Sequence, residues 1–229
     1  MKAVTILIIL LFGTVFLNLL ARGILSSQDT DNSGRAQRVL SNWYWVRGYG
    51  SWLEKDEPRL KDHYSFATAL DPFNLTYWSL AAHTLAFDLP VWELNLRAAE
   101  DGNLKEKQIA AVRARFAEVS LGFFERSRVY FEGDPDWYLT ASILAETARN
   151  DPLLARQYLE EAVALPEFPY PVGRSYVRLL IEAGELDAAY SFMASWLPRL
   201  GADSFEARSS EIRNLLQSLE SELDQTPPN

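Results

Sequence analysis

From Arg35 onward the apolar residues of this chain recur at helical spacing, with no sustained period-two alternation and no Asn-Gly or Asp-Gly hairpin signal to compete. The body is therefore expected to be all-α. Leu186, Ala189, Tyr190, Met193 and Leu197 fall at i, i+3, i+4, i+7 and i+11, one face of a helix. Tyr176, Leu179, Leu180 and Ala183 follow the same rule just before them. Only Gly184-Glu185 separates the two runs, which leaves room for nothing but an antiparallel turn. Trp137, Ala141, Leu144 and Ala148, then Ala155, Leu159, Ala162 and Val163, predict a second helical hairpin of similar size. Asp71-Pro72, Asp134-Pro135 and Asp151-Pro152 each place a capping carboxylate before a proline suited to a first helical turn, and each predicts a helix start.

Two hairpins of like length in tandem suggest a repeat near the period of about 34 residues of tetratricopeptide arrays. The residues carry the likeness in several places. Gly184, Asp187 and Ala189 in GELDAA resemble that family's inter-helix turn, where a small Ala lets paired helices approach closely. ARQYLEEAVALP, from Ala155 to Pro166, looks like its second helix. HYSFATALDP matches better still, with Tyr64, Ala67 and Pro72 at the family's aromatic, alanine and proline positions. The chain thus resembles bacterial membrane-anchored tetratricopeptide repeat (TPR) proteins over 35–200, as a TPR-like α-solenoid of about four hairpins. The second unit departs most from the pattern. Asn74 to Phe87 reads as its first helix, Asp88 to Asn103 as an insertion, and Leu104 to Tyr130 as a long helix. The resemblance implies a scaffold or adaptor for a protein or peptide partner.

The N-terminus carries a separate signal. Ala3 to Leu20 contains no charge and, with Ala21, reaches at about 1.5 Å per residue roughly the 30 Å hydrocarbon core of a bilayer. A cleaved signal peptide is the competing reading, but Leu19, Leu20, Ala21, Arg22 and Gly23 supply no small-x-small cleavage site. We therefore read 1–22 as a retained transmembrane signal-anchor. Lys2 lies on one side of it and Arg22, Arg35 and Arg38 on the other, so the positive-inside rule leaves its orientation open. By precedent, the body is placed on the periplasmic side of a bacterial inner membrane. SSQDTDNSG, from Ser26 to Gly34, is small and polar, so 23–34 reads as a flexible tether. Beyond Leu200, Gly201 ends one helix, while Asp203 with Glu206 has the spacing of a capping box. Ile212, Leu215, Leu216, Leu219 and Leu223 then share a face, so 201–224 is expected to be a C-terminal capping helix, with 225–229 a frayed tail.

Composition narrows the functions. A net charge of −9 without a clustered Lys/Arg stripe argues against nucleic acid, whose phosphates demand one. With no cysteine, thiolate chemistry, disulfides and thiolate metal sites are excluded. His63 and His83 stand on different expected helices with no HExxH, and phosphate-cradling GxxxxGK[ST], GxSxG and GxGxxG motifs are missing. We expect no enzyme activity, no cofactor, no metal and no small-molecule substrate. The candidate site is instead a protein-binding face. Trp45, Tyr49 and Trp52 share one face of the first helix, and Trp78 on a later first helix extends it. If this face is a groove it clamps a peptide; a rotation of one residue, about 100°, turns it into core, and the sequence leaves both open. Arg174 and Arg178, one turn apart, form a second candidate, able to grip a carboxylate or to pair with nearby Glu. The leading expectation is a membrane-anchored adaptor, with an integral structural subunit of a membrane complex as the alternative.

Overall fold

A computed structural model describes residues 32–196, Pro198, 214–218 and Ser221. The expected membrane anchor, most of the tether and much of the expected capping helix lie outside the described residues. No helix among the described residues is long and apolar enough to cross a membrane. All regular structure there is helical. The chain divides between Ala81 and Ala82 into two compact units.

The first unit is a helical hairpin followed by the start of a third helix. α1 spans Asn32–Glu54, so the last residues expected to belong to the tether are helical instead. Lys55 turns the chain in the left-handed region, at φ 55°, and Asp56 caps α2 (Glu57–Leu70) by accepting the Arg59 N–H at 3.2 Å. α2 buries Leu60, Tyr64, Ala67 and Thr68, the i, i+4, i+7, i+8 stripe of a one-sided helix, against α1. The buried Ser41 hydroxyl of α1 donates to the Ala67 carbonyl at 2.7 Å, which draws the two backbones together.

α3 (Leu75–His83) does not begin at Asp71-Pro72 as expected. The Asp71 N–H closes α2 on the Ala67 carbonyl at 3.1 Å, so this residue ends a helix. Asn74 is the cap: its side-chain oxygen faces the Tyr77 N–H at 3.4 Å. The indole N–H of Trp78 donates to the Pro72 carbonyl at 3.0 Å and fixes the turn between.

In the second unit, α3 runs on through a π-helical turn (Thr84–Asp88) into α4 (Leu89–Asp101). The stretch expected to be an insertion is therefore a continuation of the first helix. Gly102, at φ 78°, ends it, and α5 (Glu106–Glu125) returns. A short 3₁₀ turn (Arg128–Tyr130) leads to α6 (Pro135–Ile143), which passes into a second π-helical turn (Leu144–Ala148). α7 (Pro152–Val163), α8 (Tyr170–Glu182) and α9 (Leu186–Trp196) complete it. Asp134 and Asp151 are true caps with Pro at the first helical position, accepting the N–H groups of Asp136 at 2.9 Å and Leu154 at 3.0 Å.

Both wide turns fall within or beside stripes of buried residues spaced four apart. Ala82, Ala86 and Pro90 are buried four residues apart, as are Leu85 and Leu89, and again Trp137, Ala141 and Ala145. Four residues of ideal helix overshoot a full turn by about 40°, so such a stripe drifts off the core. A turn closed by an i to i+5 bond winds back that drift. The bonds that close them run from the Leu89 N–H to Thr84 O and from the Arg149 N–H to Leu144 O at 3.2 Å. Both wide turns pack on α5, where the buried Ser120 hydroxyl donates to the Ala82 carbonyl at 2.6 Å. The core beside them centres on Trp137, fully buried, stacked on Phe124 and donating to Ser127 Oγ at 2.8 Å.

Candidate functional site

The aromatic candidates lie in the first unit and the arginines in the second. α1 distributes its aromatic residues over several faces. Trp45 points toward α2 and sits between two tyrosine rings, 4.8 Å from Tyr64 and 4.6 Å from Tyr77, nearly parallel to both. Trp78 is buried under the turn it bonds. Tyr49, 57% exposed, stacks on Trp52 with centroids 5.8 Å apart. The four residues expected on one face therefore split into a partly buried Trp45 stacked between the buried Tyr64 and Tyr77, a buried Trp78 and a surface pair, Tyr49 with Trp52.

A different aromatic face lies at about a quarter turn or more from that pair. Leu40, Trp43, Tyr44 and Arg47 stand at i, i+3, i+4 and i+7, and α2 adds His63 and Phe66. Tyr44 stacks on Phe66 at 4.9 Å, and the Arg47 guanidinium lies 5.3 Å over the Trp43 ring. His63 shares a hydrogen bond with Ser51 Oγ at 3.1 Å. Desolvation, and then the charge of Arg47, hold its imidazole pKa below the usual value. Leu40, Trp43, Tyr44 and Arg47 share this face by their spacing in the sequence, whereas His63 and Phe66 join it only through the folded hairpin.

In the second unit, Arg174 and Arg178 share the rim of an open pocket of about 310 Å³ on the last hairpin. Its floor is apolar: Val177 and Ile181 from α8, Met193 and Trp196 from α9, and Leu215 from the helical segment 214–218. The adjacent Leu216 packs on the same hairpin cluster. A second open hollow of about 400 Å³ adjoins it, lined by Tyr170, Pro171, Arg174, Ser175 and Arg178. Close packing beneath the rim depends on Gly173, where an added Cβ would lie 2.4 Å from the Trp196 indole.

Arg178 forms a two-pronged bond with Glu146, both arms at 2.6 Å, and a further one with Glu182 at 3.0 Å. These carboxylates, Glu146 foremost, hold its guanidinium pKa above its already high value. It ties the second wide turn to α8, and its charge is largely answered within the chain. Arg174 is exposed on the rim. Trp196 and Gly173 carry no local signal of a site, and Leu215, legible as part of an apolar helix face, joins them only because three helical segments meet.

Among the described residues, no group of three or more His, Asp or Glu side chains is placed to hold a metal ion. His83 is exposed beside Phe87 on a helix separate from His63. Comparison with protein-family models, with curated proteins and with solved structures gives no match.

Proposed function

We propose that this chain is a membrane-anchored, TPR-like scaffold that holds a protein or peptide partner in a membrane-associated assembly. The observation that carries the reading is the pocket on the last hairpin. It is open, floored by aliphatic and aromatic side chains, and rimmed by Arg174 and the Arg178–Glu182 pair. An apolar side chain entering such a pocket is desolvated, while a rim of fixed charges orients the segment that bears it. The hairpins, their close small-to-large packing and the apolar run from Ala3 to Leu20 support the family likeness and the anchor. A second reading, an integral subunit packed permanently against others, is favoured by α1. There Val46, Tyr49 and Leu53 form an exposed stripe.

Crosslinking pull-down from native membranes tests the proposal. The intact protein is compared with Arg174→Ala and Tyr49→Ala/Trp52→Ala variants whose helicity is verified by circular dichroism. Loss of one specific partner in a folded Arg174→Ala variant supports the pocket. Loss confined to the Tyr49/Trp52 variant favours the permanent subunit. A partner profile identical across all folded variants removes both faces from the account.

A further inference from the structure

We infer that the aromatic face of the first hairpin, built from Leu40, Trp43, Tyr44, Arg47, His63 and Phe66, rests on the headgroup layer of the membrane that anchors the chain. The inference depends on the anchored reading of the N-terminus and adds an orientation to it. Leu40 is 49% and Phe66 51% exposed, and Trp43, Tyr44 and His63 are partly so. Tyr44 and Phe66 stack across the two helices, which makes the face continuous from α1 to α2. Its chemistry is mixed in a particular way. Trp, Tyr and His offer an apolar body with a polar edge, and Arg47 brings a cation over the Trp43 ring. That combination suits the boundary between water and acyl chains, where amphipathic rings settle and arginine meets lipid phosphate.

The length of chain between anchor and face selects the bilayer over other occupants. Residues 21–31 separate the apolar run from α1 and, fully extended, reach no more than roughly 40 Å. Trp43 lies about 17 Å along α1 from Asn32 at the helical rise. The first hairpin is thus confined to the neighbourhood of the surface, where a weak interfacial preference acts at high effective concentration. The other exposed stripe of α1, Val46, Tyr49 and Leu53, lies well over a quarter turn away and carries one amphipathic ring, Tyr49, where this face carries Trp43, Tyr44 and His63.

The chain has no cysteine, so a single one can be introduced and labelled. Full-length Leu40→Cys and, on another face of α1, Leu53→Cys would each carry an environment-sensitive fluorophore and be reconstituted into phosphatidylcholine/phosphatidylglycerol liposomes. Flotation after an alkaline wash reports anchoring, and quenching by acyl-brominated lipid reports contact with the bilayer. The expected result is flotation of both proteins, with quenching at position 40 at least about twofold that at position 53. In a Trp43→Gln/Phe66→Gln background that difference should vanish while flotation persists. Flotation without preferential quenching at position 40 overturns the docked face and leaves the anchor standing. A blue-shifted label at position 40 that lipid does not quench also overturns it, and points to a second copy of the chain. Failure to float overturns the anchor, and docking with it.

Discussion

Gly48 of α1 lies directly against the ring of Tyr64 on α2: a Cβ added there would stand 2.7 Å from Tyr64 Cε1 and 2.9 Å from Cδ1. The ring cannot swing away, because Tyr64 is buried and Trp45 stacks on it at 4.8 Å. Alanine at position 48 gains up to about 1 kcal/mol in helix propensity but overpacks the hairpin by about 1–3 kcal/mol. Gly48→Ala should therefore destabilise the chain, and Tyr64→Leu in the same background should recover part of the loss. A double-mutant cycle in urea, with additive effects, would refute the contact.

Trp45 and Tyr49 are neighbours on α1 with opposite duties. Truncating Trp45 opens the space between Tyr64 and Tyr77, and Trp45→Ala should cost about 3–5 kcal/mol. Tyr49→Ala removes a surface ring stacked on Trp52 and should change stability by no more than about 0.5 kcal/mol. Denaturant midpoints of the two variants decide the matter; equal losses would contradict the packing of Trp45 between Tyr64 and Tyr77.

Ser127 is small but buried, and its hydroxyl both donates to Phe124 O at 2.6 Å and accepts the Trp137 indole N–H at 2.8 Å. Ser127→Ala leaves that N–H without its acceptor inside the core of the second unit. The expected cost is about 1–3 kcal/mol. Ser127→Thr, which keeps the oxygen, should recover stability only if the extra methyl fits; both are read by thermal melts.

His63 links stability to pH. Burial and Arg47 lower its pKa in the folded chain, so the unfolded chain takes up a proton first as pH falls. The contribution is complete above the unfolded value, about 6.5, and is lost as pH drops from there toward the lower folded value. His63→Asn removes the titration. Between about pH 7.5 and pH 5.5, wild type should lose more stability than the variant; parallel losses would remove His63 from the linkage.

Much of the fold was legible in the sequence because its helices carry their own boundaries. Asp134 and Asp151 cap the helices they were expected to cap, and Gly184, at φ 76°, turns the last hairpin as its neighbours suggested. Asp71-Pro72 misled because two capping residues stand three positions apart, and Asn74 takes the role once the Asp71 N–H is bound to α2. The stretch read as an insertion was hidden by Asp88 and Pro90, which interrupt the apolar run; Pro90 is buried in the first turn of α4, and the wide turn before it carries the chain on from α3. The site was less legible. Which way Trp45 points depends on the rotation of α1, fixed by contacts distant in sequence: Gly48 against Tyr64, Ser41 on the Ala67 carbonyl, and Trp45 itself between Tyr64 and Tyr77. Arg174 was found by its proximity in sequence to Arg178, whereas the floor beneath it gathers side chains as far apart as Val177, Met193 and Leu215.

The most direct test of the scaffold account is site-specific photocrosslinking in native membranes from Ile181, which lines the pocket of the last hairpin. The account predicts a single discrete adduct with another protein, formed by the wild-type background and abolished by Arg174→Glu while helicity is unchanged. No adduct from Ile181, or one that persists undiminished with Arg174→Glu, would contradict it.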